Sequence, residues 1–95
     1  MKVIIKKSTK DKKKLMAIFT KDNGRTKTTH FGASGMSDFT INKDPKRKER
    51  YLKRHIKNEN WDNPESAGAL YRWILWNKPT LNASIKDYKS RFKLS

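Results

Sequence analysis

Seven cations fall between Lys46 and Lys57, and the one acid among them is Glu49. Plotted at 100° per residue from Lys46, six of these cations (Lys46, Arg47, Arg50, Lys53, Arg54 and Lys57) share an arc of about 120°. Tyr51, Leu52, His55 and Ile56 take the other side. Lys48 breaks the pattern by pointing among the apolar residues, although at the first turn its long stem lets the ammonium snorkel outward. A face of guanidinium and ammonium groups is suited to phosphate. An intrahelical salt-bridge lattice is the competing use of charge on a helix, and it would need acids that this stretch lacks. Over about twelve residues the ridge is roughly 18 Å long, enough to track several phosphates of a nucleic acid. Such contacts bring affinity without sequence selection. With no Asn or Gln on the exposed face, guanine contacts fall to Arg47, Arg50 and Arg54, so specificity is expected to be weak.

Other chemistry finds little footing in the chain. Its two histidines, His30 and His55, have no spacing that defines a metal site. No nucleophile elbow, phosphate-binding loop or pair of catalytic carboxylates can be read. The expectation is a protein that is not an enzyme and needs neither metal nor cofactor. Ten aromatic residues could stack on the bases of a single strand. However, Tyr51, Trp73, Trp76, Tyr88 and Phe92 lie on faces that a core requires, and they are assigned to packing, with Trp61 and Trp76 expected to be the most exposed.

The elements that must position the ridge follow from local patterns. Asp44 is a natural N-cap, Pro45 suits the first helical position, and no Gly or Pro interrupts the run to Asn58. Upstream, Val3-Ile4-Ile5 reads as an edge strand. Leu15 to Thr20 and Arg25 to Phe31 flank Asn23-Gly24, the pattern of a two-residue type I′ hairpin. That turn sets Phe19 opposite Thr28 and Met16 opposite Phe31, with Met16, Ile18 and Phe31 on the core face. Arg25 and Lys27, on this hairpin, are expected to assist with phosphates, as are Lys10 to Lys14. Two glycines, Gly32 and Gly35, mark a turn leading into Phe39-Thr40-Ile41, which alternates like a short extended segment.

Downstream, Glu59 to Pro64 reads as a connector. Asn63 is placed to cap a second helix starting at Pro64, whose apolar residues run almost all the way round and which therefore belongs at the centre of the fold. Lys78-Pro79 ends it. Thr80 caps a third, surface helix with Leu81, Ile85, Tyr88 and Phe92 on one stripe and Lys86, Lys89 and Lys93 on another. The reading is a single α+β domain over 1–95, with a β-rich part (1–43, about three antiparallel strands) and a helical part (44–95, three helices).

The chain carries 24 Lys and Arg against nine Asp and Glu, a net charge of +15 on 95 residues. Eleven cations and four acids precede Pro45, and thirteen and five follow, so both halves share the excess. Self-repulsion of that size is relieved by a polyanionic partner. Without cysteine there are neither disulfides nor thiolate metal sites. No apolar run approaches a membrane span, and the N-terminus lacks a secretory pattern. The expectation is a protein with no membrane partner, acting inside a cell or in a virion.

From Thr29 onward the wording is distinctive. His30-Phe31-Gly32, Asp38-Phe39-Thr40 with Lys43-Asp44, Arg50-Tyr51 with Arg54-His55, Glu59-Asn60-Trp61, Ala67-Gly68-Ala69, Arg72-Trp73-Ile74-Leu75-Trp76 with Lys78-Pro79-Thr80-Leu81, and Tyr88 with Arg91-Phe92 together resemble an uncharacterised family of small basic proteins encoded by large double-stranded DNA viruses of algae and protists. The resemblance spans about two thirds of the chain and does not reach the residues before Lys21. It implies a viral origin, and no mechanism or site residue comes with it.

The expected function is nonspecific nucleic-acid binding through Lys46, Arg47, Arg50, Lys53, Arg54, Lys57, Arg25 and Lys27, in packaging, condensation or protection of a viral genome. DNA is preferred over RNA on the strength of the resemblance. The expected location is the virion, or the viral factory or nucleus of the host. A rival is a virion structural or adaptor protein whose basic surface meets an acidic viral or host protein, and a third reading is a host-directed effector.

Overall fold

The fold begins with an antiparallel meander. Strands β1 (Lys2–Lys7), β2 (Lys13–Thr20) and β3 (Thr26–Ala33) lie side by side in chain order. The computed structural model describes residues 1–57 and 60–95, so the last residue of the expected helical run, Asn58, and the connector's first, Glu59, lie outside the described residues. After the sheet come α1 (Phe39–Asn42), α2 (Pro45–His55), α3 (Ala67–Leu70), which continues into a π-helical turn (Tyr71–Leu75), and α4 (Leu81–Phe92). The chain is α+β, as expected.

The hairpin differs from expectation by one residue. Gly24 donates to the Lys21 carbonyl at 2.9 Å, Lys21 donates to Arg25 at 2.8 Å, and only Gly24 in this turn has a positive φ, of 84°. Asn23 accepts from the Arg25 amide at 3.0 Å, an Asx turn that holds it out of the left-handed region that a type I′ turn demands. The loop is therefore three residues long. Phe19 pairs with Lys27 and Leu15 with Phe31. A one-residue slip exchanges the faces of one strand against the other. The core face carries Val3, Ala17, Phe19 and Phe31, and Met16 and Ile18 point the other way.

That face packs on Leu70, Ile74, Leu75 and Trp76, with Tyr88 closing the cluster from α4. The second helical element is central, as its all-round apolar sequence requires. Its start is later than expected. Asn63 caps only a turn, accepting from the Glu65 amide at 3.1 Å, and Ser66 caps α3 by accepting from Ala69 at 3.1 Å. The π-helical turn then closes with Trp76 donating to the Tyr71 carbonyl at 2.9 Å. Thr80 caps α4 as read, through the Ala83 amide at 3.2 Å. Burial, with the Glu65 carboxylate adding to it, raises the Tyr88 pKa, which keeps its hydroxyl a donor to the Pro64 carbonyl at 2.6 Å. β1 is an edge strand, and the chain's last residue covers part of that edge: Val3 donates to Ser95 at 3.0 Å and Ser95 to Met1 at 3.2 Å. Among the described residues no helix is long and apolar enough to cross a membrane.

Phe39-Thr40-Ile41 is one helical turn instead of an extended segment, because Asp38 caps it. The Asp38 carboxylate accepts from the Thr40 amide at 2.9 Å and from the Thr40 hydroxyl, and its second oxygen meets the Lys14 ammonium at 2.7 Å. Asp38 is buried, at 2% exposure, so its charge depends on these partners. Replacing Asp38 by Ala leaves Lys14 uncompensated and α1 uncapped, and is expected to remove about 3 kcal/mol of stability in chemical denaturation. A loss under about 1 kcal/mol would mean that the pair is not holding the sheet to α1.

A second prediction concerns acid. The hydrogen bond donated by Asn77 at 2.7 Å holds the Asp87 carboxyl below the usual carboxylate range, with Arg91 and Lys78 contributing. A carboxyl whose folded pKa is depressed stabilises the fold above its unfolded pKa and loses that contribution as pH falls through the folded value. The stability gap between the natural protein and Asp87→Asn is therefore expected to narrow as pH drops from about 6 to about 3. Thermal unfolding across that range measures it, and a gap independent of pH would refute the assignment.

Candidate functional site

Helix α2 starts where its sequence dictates. Asp44 accepts from the amides of Lys46 at 3.0 Å and Arg47 at 3.4 Å, and Pro45 occupies the first turn. Eleven residues give it a length of about 16 Å. Its cations divide into groups. Arg47, Arg50 and Arg54 line a cleft of about 570 Å³ together with Tyr51, His55, Tyr71 and Trp76, and Met36 and Ser37 stand at its rim. Lys46 and Lys53 turn toward solvent, where Lys53 is paired with Glu49 at 3.1 Å. An exposed pair of this kind contributes only about 0.3–0.5 kcal/mol. Lys57 lies beyond the last helical residue, His55, so the expected six-cation ridge is shorter than drawn.

Lys48 goes inward instead of snorkelling out. Its ammonium donates to the Asn77 carbonyl at 2.7 Å and lies 4.9 Å from the centre of the Phe39 ring. Burial first, then the charges of Arg72 and Lys78, lower its pKa. The helix is thereby tied to the loop after the π-helical turn. Tyr51 provides the other tie, stacked on Trp76 with centroids 4.3 Å apart and planes 9° apart. His55 stacks on Tyr51 in turn, at 4.1 Å. Trp76, expected to be among the exposed aromatics, is 6% exposed because Tyr51 lies over it. Ile56, read as part of the anchoring side, is 58% exposed.

The cleft's three arginines are half of the six in the chain. None of the three has an ion pair or side-chain hydrogen bond among the described residues, and no carboxylate among those residues lines the cleft. Two others are committed elsewhere. Arg72 and Arg91 lie 4.0 and 3.8 Å from the centre of the Trp73 ring, and Arg72 also donates to the Trp76 carbonyl at 3.1 Å.

Arg25 and Lys27 are not brought to this cleft. They sit at the hairpin end of β3, eight and six residues from Ala33 at the cleft edge, or roughly 26 and 20 Å along the strand. The β1–β2 turn is at the near end instead, with Lys13 paired to Ala33 and the Lys12 carbonyl accepting from Ser34 at 3.0 Å. Lys12 and Lys13 are exposed beside the cleft, whereas Lys14 is held by Asp38. The two histidines are also apart. His30 bonds Ser8 at 2.7 Å on the sheet face away from the core, whereas His55 stacks on Tyr51. Among the described residues no group of His, Asp and Glu could hold a metal ion.

Because α2 is fastened mainly through side chains, Tyr51→Ala is expected to cost about 2 kcal/mol and to loosen the helix selectively. Amide exchange over 45–55 should accelerate more than exchange in β2. Equal acceleration in both would show that the stack is not the fastening.

Neither the comparison with curated proteins nor that with solved structures gave a match. Residues 3–55, from β1 through the last residue of α2, match a family described as a family of unknown function (DUF5754), and the chain belongs to it.

Proposed function

We propose that the chain binds nucleic acid without sequence preference, DNA ahead of RNA, and that α2 makes the contacts. The observation that carries this reading is the row Arg47, Arg50 and Arg54 along one cleft, unpaired among the described residues of a protein with net charge +15. Guanidinium is planar and weakly hydrated, which suits it to bidentate contacts with phosphate. Lys46 extends the contact along α2 and Lys57 just past its end, and Lys12 and Lys13 continue it onto the β1–β2 turn. Arg25 and Lys27 act at a distance, as part of the general field. The resemblance to proteins of large DNA viruses is the support for a DNA target and for a role in packaging, condensing or protecting a genome.

A gel-shift titration over a salt series tests the reading. If about five phosphates are neutralised, log K falls with log salt at a slope of roughly −4.5. Arg50→Glu with Arg54→Glu is expected to weaken binding by at least about 30-fold and to reduce the slope, with little change in thermal stability because both side chains are exposed. Unchanged affinity in that double variant, or one saturable acidic protein partner with no more salt response toward DNA than any polycation shows, overturns it.

A further inference from the structure

The cleft offers more than phosphate contacts, and we infer that it seats one unpaired nucleotide, with the phosphate among Arg47, Arg50 and Arg54 and the base between Met36 and Tyr71. This rests on the nucleic-acid reading above and names the form of nucleic acid that the same site takes.

Three features of the cleft lead there. Its volume of about 570 Å³ lies in the range that takes a single small ligand. Its chemistry is mixed: α2 supplies the three guanidinium groups together with Tyr51 and His55, which stack on each other, and the remaining lining includes Tyr71, Trp76 and the Met36 thioether. Tyr71 is half-buried and stacks on no other ring among the described residues, and Met36 is 62% exposed at the rim. A polarizable thioether and an open ring are sequence-tolerant surfaces for the face of a base.

Duplex geometry does not match this mixture. Paired bases present only their edges in the grooves, their faces being covered by neighbouring pairs. A duplex could lay its phosphates against Lys46, Arg50 and Lys53 but leave Met36 and Tyr71 uncovered. An unpaired nucleotide carries its phosphate and a bare base face on one flexible unit, so it can satisfy both kinds of group at once. Met36 is held at the rim by a turn in which its amide donates to the Ala33 carbonyl at 3.2 Å and Gly35 takes a φ of 84°. That turn adjoins Lys12 and Lys13, which would receive the phosphates of the neighbouring nucleotides.

Fluorescence anisotropy with a labelled single strand and a duplex of equal length, at one moderate salt concentration, tests this. The single strand is expected to bind about tenfold more tightly. Met36→Glu, which places a carboxylate at the rim without touching the core, should abolish that preference while weakening the duplex by no more than about threefold. Met36→Leu, similar in volume and apolar, should keep it. In a titration with deoxyadenosine monophosphate, amide resonances of residues 33–37 and of Tyr71 should shift, and inorganic phosphate at equal concentration should move those of α2 alone. Equal affinity for both forms, with Met36→Glu acting on them alike, overturns the nucleotide seat and leaves phosphate binding by α2 standing. Failure of both forms to bind overturns the two readings together. Displacement of the single strand by polyglutamate as readily as by unlabelled single strand also overturns the seat, since it assigns the cleft to acidic protein.

Discussion

Carboxylate is the scarce group in this molecule, and its scarcity organises the rest. Nine acids face 24 cations. Several acids have structural duties: Asp38 caps α1 and holds Lys14, Asp44 caps α2, and Asp87 meets Asn77 and Arg91. Several cations are also held by neutral groups. Lys43 and Lys48 donate to the carbonyls of Pro79 and Asn77, Arg72 to that of Trp76, and Arg72 and Arg91 rest on Trp73. The loop 76–79, where the helical carbonyls lose their intrahelical donors, thus becomes a receptor for positive side chains. Neutral oxygen and aromatic quadrupole replace the missing acids there.

The same loop explains how α2 is mounted. Its two ends are separated from the sheet by α1 on one side and the connector on the other, so its position depends on what its side chains reach. Lys48 on Asn77, Tyr51 on Trp76 and Leu52 against the core do this from one face. The π-helical turn contributes as well. Through its end Ile74, Leu75 and Trp76 are buried consecutively. Trp76 is thereby available as the floor on which Tyr51 stacks. The arginines of α2 are then oriented by a contact made on the far side of their own helix.

Local chemistry was readable wherever one residue decides the outcome. Asp44-Pro45 and Thr80 begin helices as their types require, and the all-apolar second helix is central. The hairpin register was not readable, because a two-residue and a three-residue loop share the wording Asn-Gly, and the choice lies in whether the Asn23 side chain bonds the Arg25 amide. Asn63 and Ser66 are both competent caps, and Pro64-Glu65 form a turn between them. Asp38 turned Phe39-Thr40-Ile41 from extended to helical through a partner, Lys14, that lies 24 residues away. The arginine row followed from helical spacing alone. Its opposite wall did not, since Met36, Ser37 and Tyr71 meet it only once the chain has folded.

The distribution of Arg and Lys separates attraction from seating. Lysines occur on β1, on both hairpin turns, on α2 and on α4, so the positive field is spread over the fold rather than gathered at one face, and it is screened beyond a Debye length of about 8 Å. Ammonium groups hold their water strongly and contribute mostly to that field. Guanidinium groups desolvate more readily, and of the six in the chain two are already stacked on Trp73 and one is at the distant hairpin. The remaining three line one cleft from α2, so on the proposed reading close desolvated contact with an anion would concentrate there even though attraction does not. On the proposed reading, a polyanion drawn to the surface would find at this cleft fixed, directional donors to match the hydration it gives up, and α2's mounting on Trp76 keeps those donors in place.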